Sequence, residues 1–151
     1  MQIILSAQPS KLVILQRSIF FSGFSTEDLE SLAISSIVKH FERAEIIFWE
    51  HEPCSGFCIV IRGCVKLFKI APNGRELILR ALYEGESFNE VPIFDEGANP
   101  VSAAALEESE LLIIQSSDMR KMIKNKPELA GLIVVKLAHI LRNMVGLVEE
   151  F

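Results

Sequence analysis

The sequence predicts an α+β fold in which a β-roll, a double-stranded jelly roll, lies between N-terminal helices and a long C-terminal helix. Three observations predict it: short apolar runs separated by turns, glycines at 11-residue intervals, and a long helical repeat of apolar residues near the end. The 151 residues are 50% hydrophobic and 23% charged, which fits one folded domain and excludes a disordered chain.

The N-terminal segment, residues 1–36, is predicted to be helical. Ser25 stands before a helical pattern, and Asp28 follows it three residues later, which is typical of a capped helix start. Leu29, Leu32 and Ala33 then recur at helical spacing. A shorter helix before it is indicated by four apolar residues: Leu12, Leu15, Ile19 and Phe20.

The central segment, residues 37–126, is predicted to form the β-roll. Asn73-Gly74 lies between two apolar runs and predicts a hairpin, because both residues accept a positive φ. Gly63, Gly74 and Gly85 are each 11 residues apart, and strand-plus-turn units of that length favour a sandwich, barrel or jelly roll. The apolar runs that we assign to strands are 46–49, 57–61, 65–68, 77–79 and 111–114.

The last part of the chain is predicted to form a short helix, 117–124, and a long helix, 127–151, that begins at Pro127. Two neighbouring apolar seams run along the long helix, which is more than one roll can cover. We therefore expect one seam to pack on the roll and the other on the same helix of a second copy. The first seam, which we assign to the dimer interface, is Ile133, Leu137, Ile140, Met144, Leu147 and Phe151; the second is Val134, Ala138, Leu141, Val145 and Val148.

A helix buried wholly within one chain is the alternative to this homodimer. The pattern reaches Phe151 without a glycine or polar cap, so we expect a longer natural protein to continue beyond it.

Four segments carry a family resemblance: EPCSGF at 52–57, IVIRGCVKLFK at 59–69, PNGRE at 72–76 and GESFNE at 85–90. Together with the order of elements, they resemble the sensor half of Crp/Fnr-type bacterial transcription regulators, over about residues 15–151. The resemblance implies a cyclic-nucleotide-binding-type β-roll, an effector site and a dimerisation helix. It also implies DNA binding only through a winged helix-turn-helix that is absent from this chain.

The resemblance places the effector site between the roll, a phosphate-binding cassette at 85–102, and the middle of the long helix. Glu90 matches the glutamate that takes the ribose hydroxyl, and Ser102 matches the serine that follows the phosphate-binding arginine. The candidate effector-binding residues are Gly85, Glu86, Ser87, Phe88, Asn89, Glu90, Val101, Ser102, His139, Arg142 and Asn143.

The cassette departs from the family pattern at the phosphate. Val101 stands at the arginine position, no Lys or Arg occurs between residues 81 and 119, and Pro92 lies where a short helix should begin. Because a desolvated phosphate without a cation is costly, we expect neither cyclic AMP nor cyclic GMP to bind tightly. The effector is then an unknown small molecule, and an organic acid held by Arg142 remains open.

Cofactor chemistry has weak support in the sequence. An iron-sulfur cluster is not expected. A cluster held by cysteines alone needs four, and the chain has three, Cys54, Cys58 and Cys64. The strand between Cys58 and Cys64 also separates these two residues too far for both to bind one cluster. A Cys54–Cys58 redox pair stays an alternative to three inert thiols. Haem is not expected either, since the three histidines, His40, His51 and His139, lack a supporting motif. We expect no metal and no catalytic residues, and a cupin-like metal enzyme is the alternative.

The charge balance argues against direct nucleic-acid binding. Fifteen basic and 20 acidic residues give a formal net charge of −5. Three cysteines do not fit a secreted disulfide scaffold, and the apolar stretch 131–141 is short and interrupted by Lys136. We therefore expect a cytoplasmic protein without a membrane span, and a domain that gates a partner protein is a further alternative.

Overall fold

The computed structural model of the chain describes residues 10–149, with side chains described as far as residue 146. Two short helices, α1 and α2, with a 3-10 turn between them, precede eight strands, and a one-turn helix α3 interrupts the strands before α4 and α5 close the chain. The helical elements are α1 Lys11–Arg17, the 3-10 turn Ile19–Phe21, α2 Thr26–Ser35, α3 Val91–Asp95, α4 Ser116–Asn125 and α5 Glu128–Glu149. The strands are β1 Ile37–Phe41, β2 Ile46–Phe48, β3 Phe57–Arg62, β4 Val65–Ile70, β5 Glu76–Leu82, β6 Ser87–Phe88, β7 Ser102–Ala105 and β8 Ser109–Ile114.

The strands form two antiparallel sheets, which confirms the predicted β-roll. One sheet has the order β1-β8-β3-β6 and the other the order β2-β7-β4-β5. Because β3 is hydrogen-bonded to both β8 and β6, the cassette strand β6 is held directly by the central strand of its sheet. The β4–β5 hairpin closes through the predicted turn, where Gly74 has a φ of +85° and donates to the carbonyl oxygen of Ala71.

Two hydrophobic clusters lie on opposite faces of the first sheet. Phe57, Ile59 and Ile61 of β3 face the helices, whereas Cys58 and Val60 face the space between the two sheets. Successive strand residues point to opposite faces, so a strand buried on both sides is apolar throughout. The continuous apolar run 57–61 therefore marks a strand at the centre of the fold.

Helix α2 begins as the sequence predicts. The Ser25 hydroxyl accepts a hydrogen bond from the Asp28 backbone N–H at 3.1 Å, and the buried face of the helix carries Leu29 and Leu32. Asp28 is itself buried, and its carboxylate accepts a 2.6 Å hydrogen bond from Lys126, in the turn between α4 and α5. The N-terminal helix is thus tied to the C-terminal helices at their junction.

The seam that we assign to the dimer interface begins in the core of its own chain. Ile133 is 1% exposed within the helical cluster, and Leu137 packs against that cluster. Ile140 is half-buried and Met144 is exposed, whereas Leu147 carries no described side chain and Phe151 lies outside the described residues. The first part of this seam packs on the chain itself, because α5 leans on the 3-10 turn and α4.

The second seam of α5 faces outwards. Val134 and Leu141 are each 62% exposed, and Val145 is 57% exposed. Helix α5 is also longer than the stretch 131–141 suggested: over 128–146 it is long and apolar enough, by length and composition, to cross a membrane. The stretch 131–141 is part of this longer helix, which continues on either side of it.

Candidate functional site

The cassette opens with a turn that is anchored to strand β3. Gly85 has a φ of +88°, and its N–H donates to the carbonyl oxygen of Val60 at 2.8 Å. The Glu86 carboxylate accepts hydrogen bonds from the Tyr83 backbone N–H and from the Arg80 guanidinium, both at 2.9 Å. Glu86 therefore links the turn to strand β5. Arg80 places a positive charge beside the cassette, just before the stretch 81–119 that contains no Lys or Arg.

Strand β6 contributes more to the folded core than to a binding surface. Phe88 is buried between the sheets, with its ring centroid 6.0 Å from that of Phe48. Ser87, half-buried, pairs with Ile59 of β3. Of these two candidates, Phe88 belongs to the core.

Asn89 directs its amide into the protein. It has a φ of +70°, a conformation that Asn tolerates better than most residues, and it is 8% exposed. Its Nδ2 group donates to Cys54 Sγ at 3.3 Å and to the backbone oxygen of Gly56 and Oδ1 of Asn99, both at 3.1 Å. Its buried Oδ1 has no hydrogen-bond partner. Asn89 thus ties the cassette to the loop before β3.

Glu90 is a half-buried carboxylate at the start of α3. Burial raises its pKa above the ordinary value, and the positive charge of Arg80 opposes part of that rise. The next residues form α3, with Pro92 in its first turn, where the missing N–H of a proline breaks no helical hydrogen bond. Pro92 is therefore compatible with the cassette helix, contrary to its reading as a departure from the family pattern.

Ser102 and Val101 occupy the positions that the resemblance assigns to phosphate binding. Ser102 is buried in β7, and its hydroxyl oxygen accepts a 2.8 Å hydrogen bond from the Glu50 backbone N–H. Val101 is half-buried and offers no charge. The hydroxyl of Ser102 already links β7 to the residues after β2, so a structural role accounts for it.

The candidates on α5 do not meet the cassette. His139, Arg142 and Asn143 are exposed, and none of their side chains has a hydrogen bond or ion pair with another residue between 10 and 146. By contrast, Lys136 on the same helix donates to the Ser22 backbone oxygen at 3.0 Å. Within one chain, the structure gathers the cassette candidates together and leaves the helix candidates apart from them.

The three cysteines are free and differ in environment. Cys58 and Cys64 are buried, and burial raises the pKa of both thiols above the ordinary value. Cys54 is half-buried and lines a cleft of about 420 Å³ with His51, Glu96 and Arg120 among its walls.

The histidines are scattered. His40 lies 3.3 Å from Glu42 and 3.5 Å from Glu108 in an exposed ion-pair cluster, while His51 contacts Glu50 elsewhere. The sequence spacing gave no sign of the His40 cluster, because Glu108 reaches it from the turn before β8.

Comparison with known proteins agrees with the fold. Residues 38–126 match the cyclic nucleotide-binding domain family. The chain is 31% identical over 130 residues to the CRP-like cAMP-activated global transcriptional regulator of Mycobacterium tuberculosis, covering 86% of this chain and 58% of the relative. It is 32% identical over 124 residues to the cyclic AMP receptor protein of Thermus thermophilus, covering 82% and 57%.

A solved structure of a sensor domain has the same fold. The sensor domain of the transcriptional regulator DNR from Pseudomonas aeruginosa superposes with a TM-score of 0.78 at 27% identity, covering 89% of this chain and 90% of that chain. The chain thus spans somewhat more than half the length of the two curated relatives and nearly all of the isolated sensor domain.

Proposed function

The chain belongs to the cyclic nucleotide-binding domain family, and on that premise we propose that it is the effector-sensing and dimerising part of a Crp/Fnr-type transcription regulator. The observation that carries the proposal is the combination of an anchored cassette with a long helix that leaves one apolar seam exposed. The relatives named above are transcription regulators and not enzymes, and we propose the same for this chain, in the cytoplasm. DNA binding would reside in a winged helix-turn-helix outside these residues.

The effector that we propose is a small molecule other than a cyclic nucleotide, although two relatives are named for cyclic AMP. A buried cyclic phosphate requires a fixed cation and aligned N–H donors. Val101 supplies no cation, and the guanidinium of Arg80 is engaged by Glu86. Glu90 adds a further carboxylate to the same region, which disfavours an anion unless that group is protonated.

We move the interface of the proposed homodimer from the first seam, to which the sequence pattern assigned it, to the exposed second seam, because Ile133 of the first seam is buried in its own chain. The second copy covers Val134, Ala138, Leu141 and Val145. These residues alternate at spacings of four and three, which is the pattern of a helix that pairs with another helix. Lys136 and Arg142 lie in the same stretch, and charges within a helix are costly in the hydrocarbon of a bilayer. A partner helix therefore suits this surface better than lipid.

In the dimer, the unpaired polar residues of α5, His139, Arg142 and Asn143, would be free to reach an effector at either cassette. An effector that contacts the cassette and α5 differently in two arrangements of the dimer would shift the balance between them. The helices would transmit that shift to the DNA-binding segment.

Sedimentation velocity tests the dimer. Leu141→Asp should convert the dimer to monomer, because it places two charges against each other in the paired seam. Ile34→Asp is the matched control: Ile34 is 84% exposed on α2, so the same substitution there should leave the dimer intact. A wild-type chain that sediments as a monomer at all concentrations, or a Leu141→Asp chain that stays dimeric, would contradict the proposed interface.

Titration calorimetry tests the effector class on the wild-type chain with cyclic AMP and cyclic GMP. We expect no saturable heat at micromolar nucleotide. Native mass spectrometry of the same sample should detect any small molecule that co-purifies with the dimer. Saturable sub-micromolar binding of either nucleotide would disprove the proposed effector class and would leave the dimer interface untouched.

A further inference from the structure

Three side chains that commonly bind metal ions meet at one end of the roll, in the His40 cluster, which the proposed function does not use. The cluster consists of His40 in β1, Glu42 directly after that strand and Glu108 in the turn between β7 and β8. Each residue places one nitrogen or oxygen donor within 4.8 Å of the other two. Nε2 of His40 lies 3.3 Å from Oε1 of Glu42 and 3.5 Å from Oε2 of Glu108.

The pairing of β1 with β8 brings these residues together. The two strands are antiparallel, and Phe41 lies opposite Ser109. Glu42 and Glu108 are the next residues beyond that pair on the two strands, so they lie side by side. His40 precedes Glu42 by two positions, and residues two apart along an extended chain point to the same face. The cluster is therefore a consequence of the strand register.

The turns that carry the two glutamates are held by hydrogen bonds. In the turn after β1, the Ala44 backbone N–H donates to the carbonyl oxygen of Ala105 at the end of β7, at 2.8 Å. In the turn before β8, the hydroxyl of the buried Ser109 accepts a 3.1 Å hydrogen bond from the Cys64 backbone N–H. Ligands on an anchored backbone lose little conformational freedom when an ion binds, which favours binding.

The distances between the donor atoms suit a tetrahedral ion. Zinc binds histidine nitrogen and carboxylate oxygen at about 2.0–2.2 Å, so two ligands of a zinc tetrahedron lie about 3.3–3.6 Å apart. Both distances from Nε2 of His40 fall in this range. Magnesium and calcium prefer oxygen ligands alone, whereas an imidazole together with carboxylates suits zinc.

The charges of the cluster also favour a dication. Among residues 10–146, the ion pairs of Glu42 and Glu108 are with His40 alone, and no Lys or Arg pairs with either carboxylate. Two like charges at this separation repel each other, and one imidazolium balances only one of them. A divalent ion balances both carboxylates and takes the neutral imidazole as its third ligand.

We propose that His40, Glu42 and Glu108 bind one zinc ion, with water as the fourth ligand. All three side chains are exposed, so water can reach the ion. The ion would link the turn after β1 to the turn before β8 and stabilise the roll, because it binds the folded chain and not the unfolded one. The sequence predicted no metal because Glu108 is distant from the other two ligands along the chain. This inference does not depend on the proposed effector or dimer.

Titration calorimetry of the full wild-type chain with zinc chloride tests the site. We expect saturable binding, and His40→Gln should weaken it by at least about tenfold, since even the loss of a residue that only supports a metal ligand costs about 10–100-fold. His51→Gln is the matched control, because His51 is also exposed but has one carboxylate neighbour, Glu50, at 3.5 Å. It should leave the affinity unchanged. A wild-type chain that does not bind zinc, or a His40→Gln chain that binds it as tightly as wild type, would overturn the proposal.

Cobalt(II) distinguishes this site from the thiols of the cysteines, which also bind zinc. Cobalt takes the tetrahedral geometry of zinc and absorbs visible light there, and a thiolate ligand adds a strong near-ultraviolet band. We expect the visible band without the thiolate band in wild type, and its loss in Glu108→Gln. Glu107→Gln, at an exposed neighbouring acid, should keep the band. A thiolate band in wild type that persists in Glu108→Gln would show that cysteines bind the ion and would disprove the proposed ligands.

Discussion

Lys126 donates a 2.6 Å hydrogen bond to the buried carboxylate of Asp28, across 98 positions of sequence. The bond joins helix α2, whose first turn is acidic, to the turn that precedes α5. Because α5 carries the exposed seam, the position of that seam relative to the roll depends on this link. The hydrogen bond to Lys126 is also the main reason that the pKa of Asp28 lies below its ordinary value.

Replacing Asp28 by Asn should therefore destabilise the protein, and the loss should depend on pH. We expect a loss of about 1.5–3 kcal/mol at about pH 7, the worth of a hydrogen bond to a charged group. The depressed pKa of Asp28 stabilises the fold above the ordinary carboxyl pKa, and that contribution disappears as the pH falls through the folded-state pKa. Urea unfolding at neutral and acidic pH measures the difference.

Glu30→Gln is the control for this prediction, because Glu30 is an exposed acid on the same helix. Its effect should be small and nearly independent of pH. A loss of stability in Asp28→Asn that is equal at neutral and strongly acidic pH would contradict the ion-pair explanation.

Replacing a side chain by alanine should affect stability differently in the two seams of α5. Ile133→Ala removes a side chain from the core of the chain itself and should cost about 2–5 kcal/mol at every protein concentration. Leu141→Ala removes an exposed side chain, so its cost should appear only through the dimer and should shrink as the protein is diluted. Thermal unfolding over a hundredfold range of concentration would separate the two cases.

A concentration-dependent loss in Ile133→Ala would return that residue to the dimer interface. The sequence could not make this distinction, because both seams repeat with the same alternation of four and three residues. Which seam faces the core depends on how α5 leans on the 3-10 turn and on α4, and that is decided by tertiary packing.

Strands with continuous apolar runs were predictable, whether the strand is buried, as in β3 and β8, or largely exposed, as in β5. The runs at 57–61 and 111–114 lie in β3 and β8, whose alternate residues enter the two clusters on either side of the sheet. Strand β7, Ser102–Ala105, was missed because alanine has a low strand propensity. Its small side chains suit a strand that is fully buried between β2 and β4.

The position of the cassette along the chain was predictable from the sequence, but the residues that it contacts were not. The order GESFNE indicates where the turn and β6 lie, but the partners of Asn89 come from residues 54, 56 and 99. Likewise, Arg80 is paired with Glu86 because the β4–β5 hairpin returns the chain to the cassette. Local patterns carry no information on such pairs, since they form only when distant segments pack together.

Glu90 should affect stability in the direction opposite to Asp28. Its pKa is raised by burial, so the fold loses stability as the pH rises through that pKa and the carboxylate ionises. Glu90→Gln removes the charge and should raise the melting temperature near neutral pH, with the gain fading at acidic pH. Glu84→Gln, an exposed neighbour in the same acidic stretch, should show no such dependence. A lower melting temperature for Glu90→Gln at neutral pH would contradict the effect of burial.

Placing the missing cation should give the cassette affinity for a cyclic nucleotide. In Val101→Arg, a guanidinium would stand beside Ser102, in the order that the family resemblance assigns to phosphate binding. One charged hydrogen bond to a phosphate is worth about 1.5–3 kcal/mol, so affinity for cyclic AMP should rise by about tenfold or more over wild type. Val101→Gln introduces a polar side chain without the charge, although a shorter one than arginine, and should leave the affinity unchanged. Titration calorimetry on the three chains measures it. If Val101→Arg folds and binds no better than Val101→Gln, the lack of a cation at residue 101 is not what excludes the nucleotide, and the carboxylates of Glu86 and Glu90 become the next groups to neutralise.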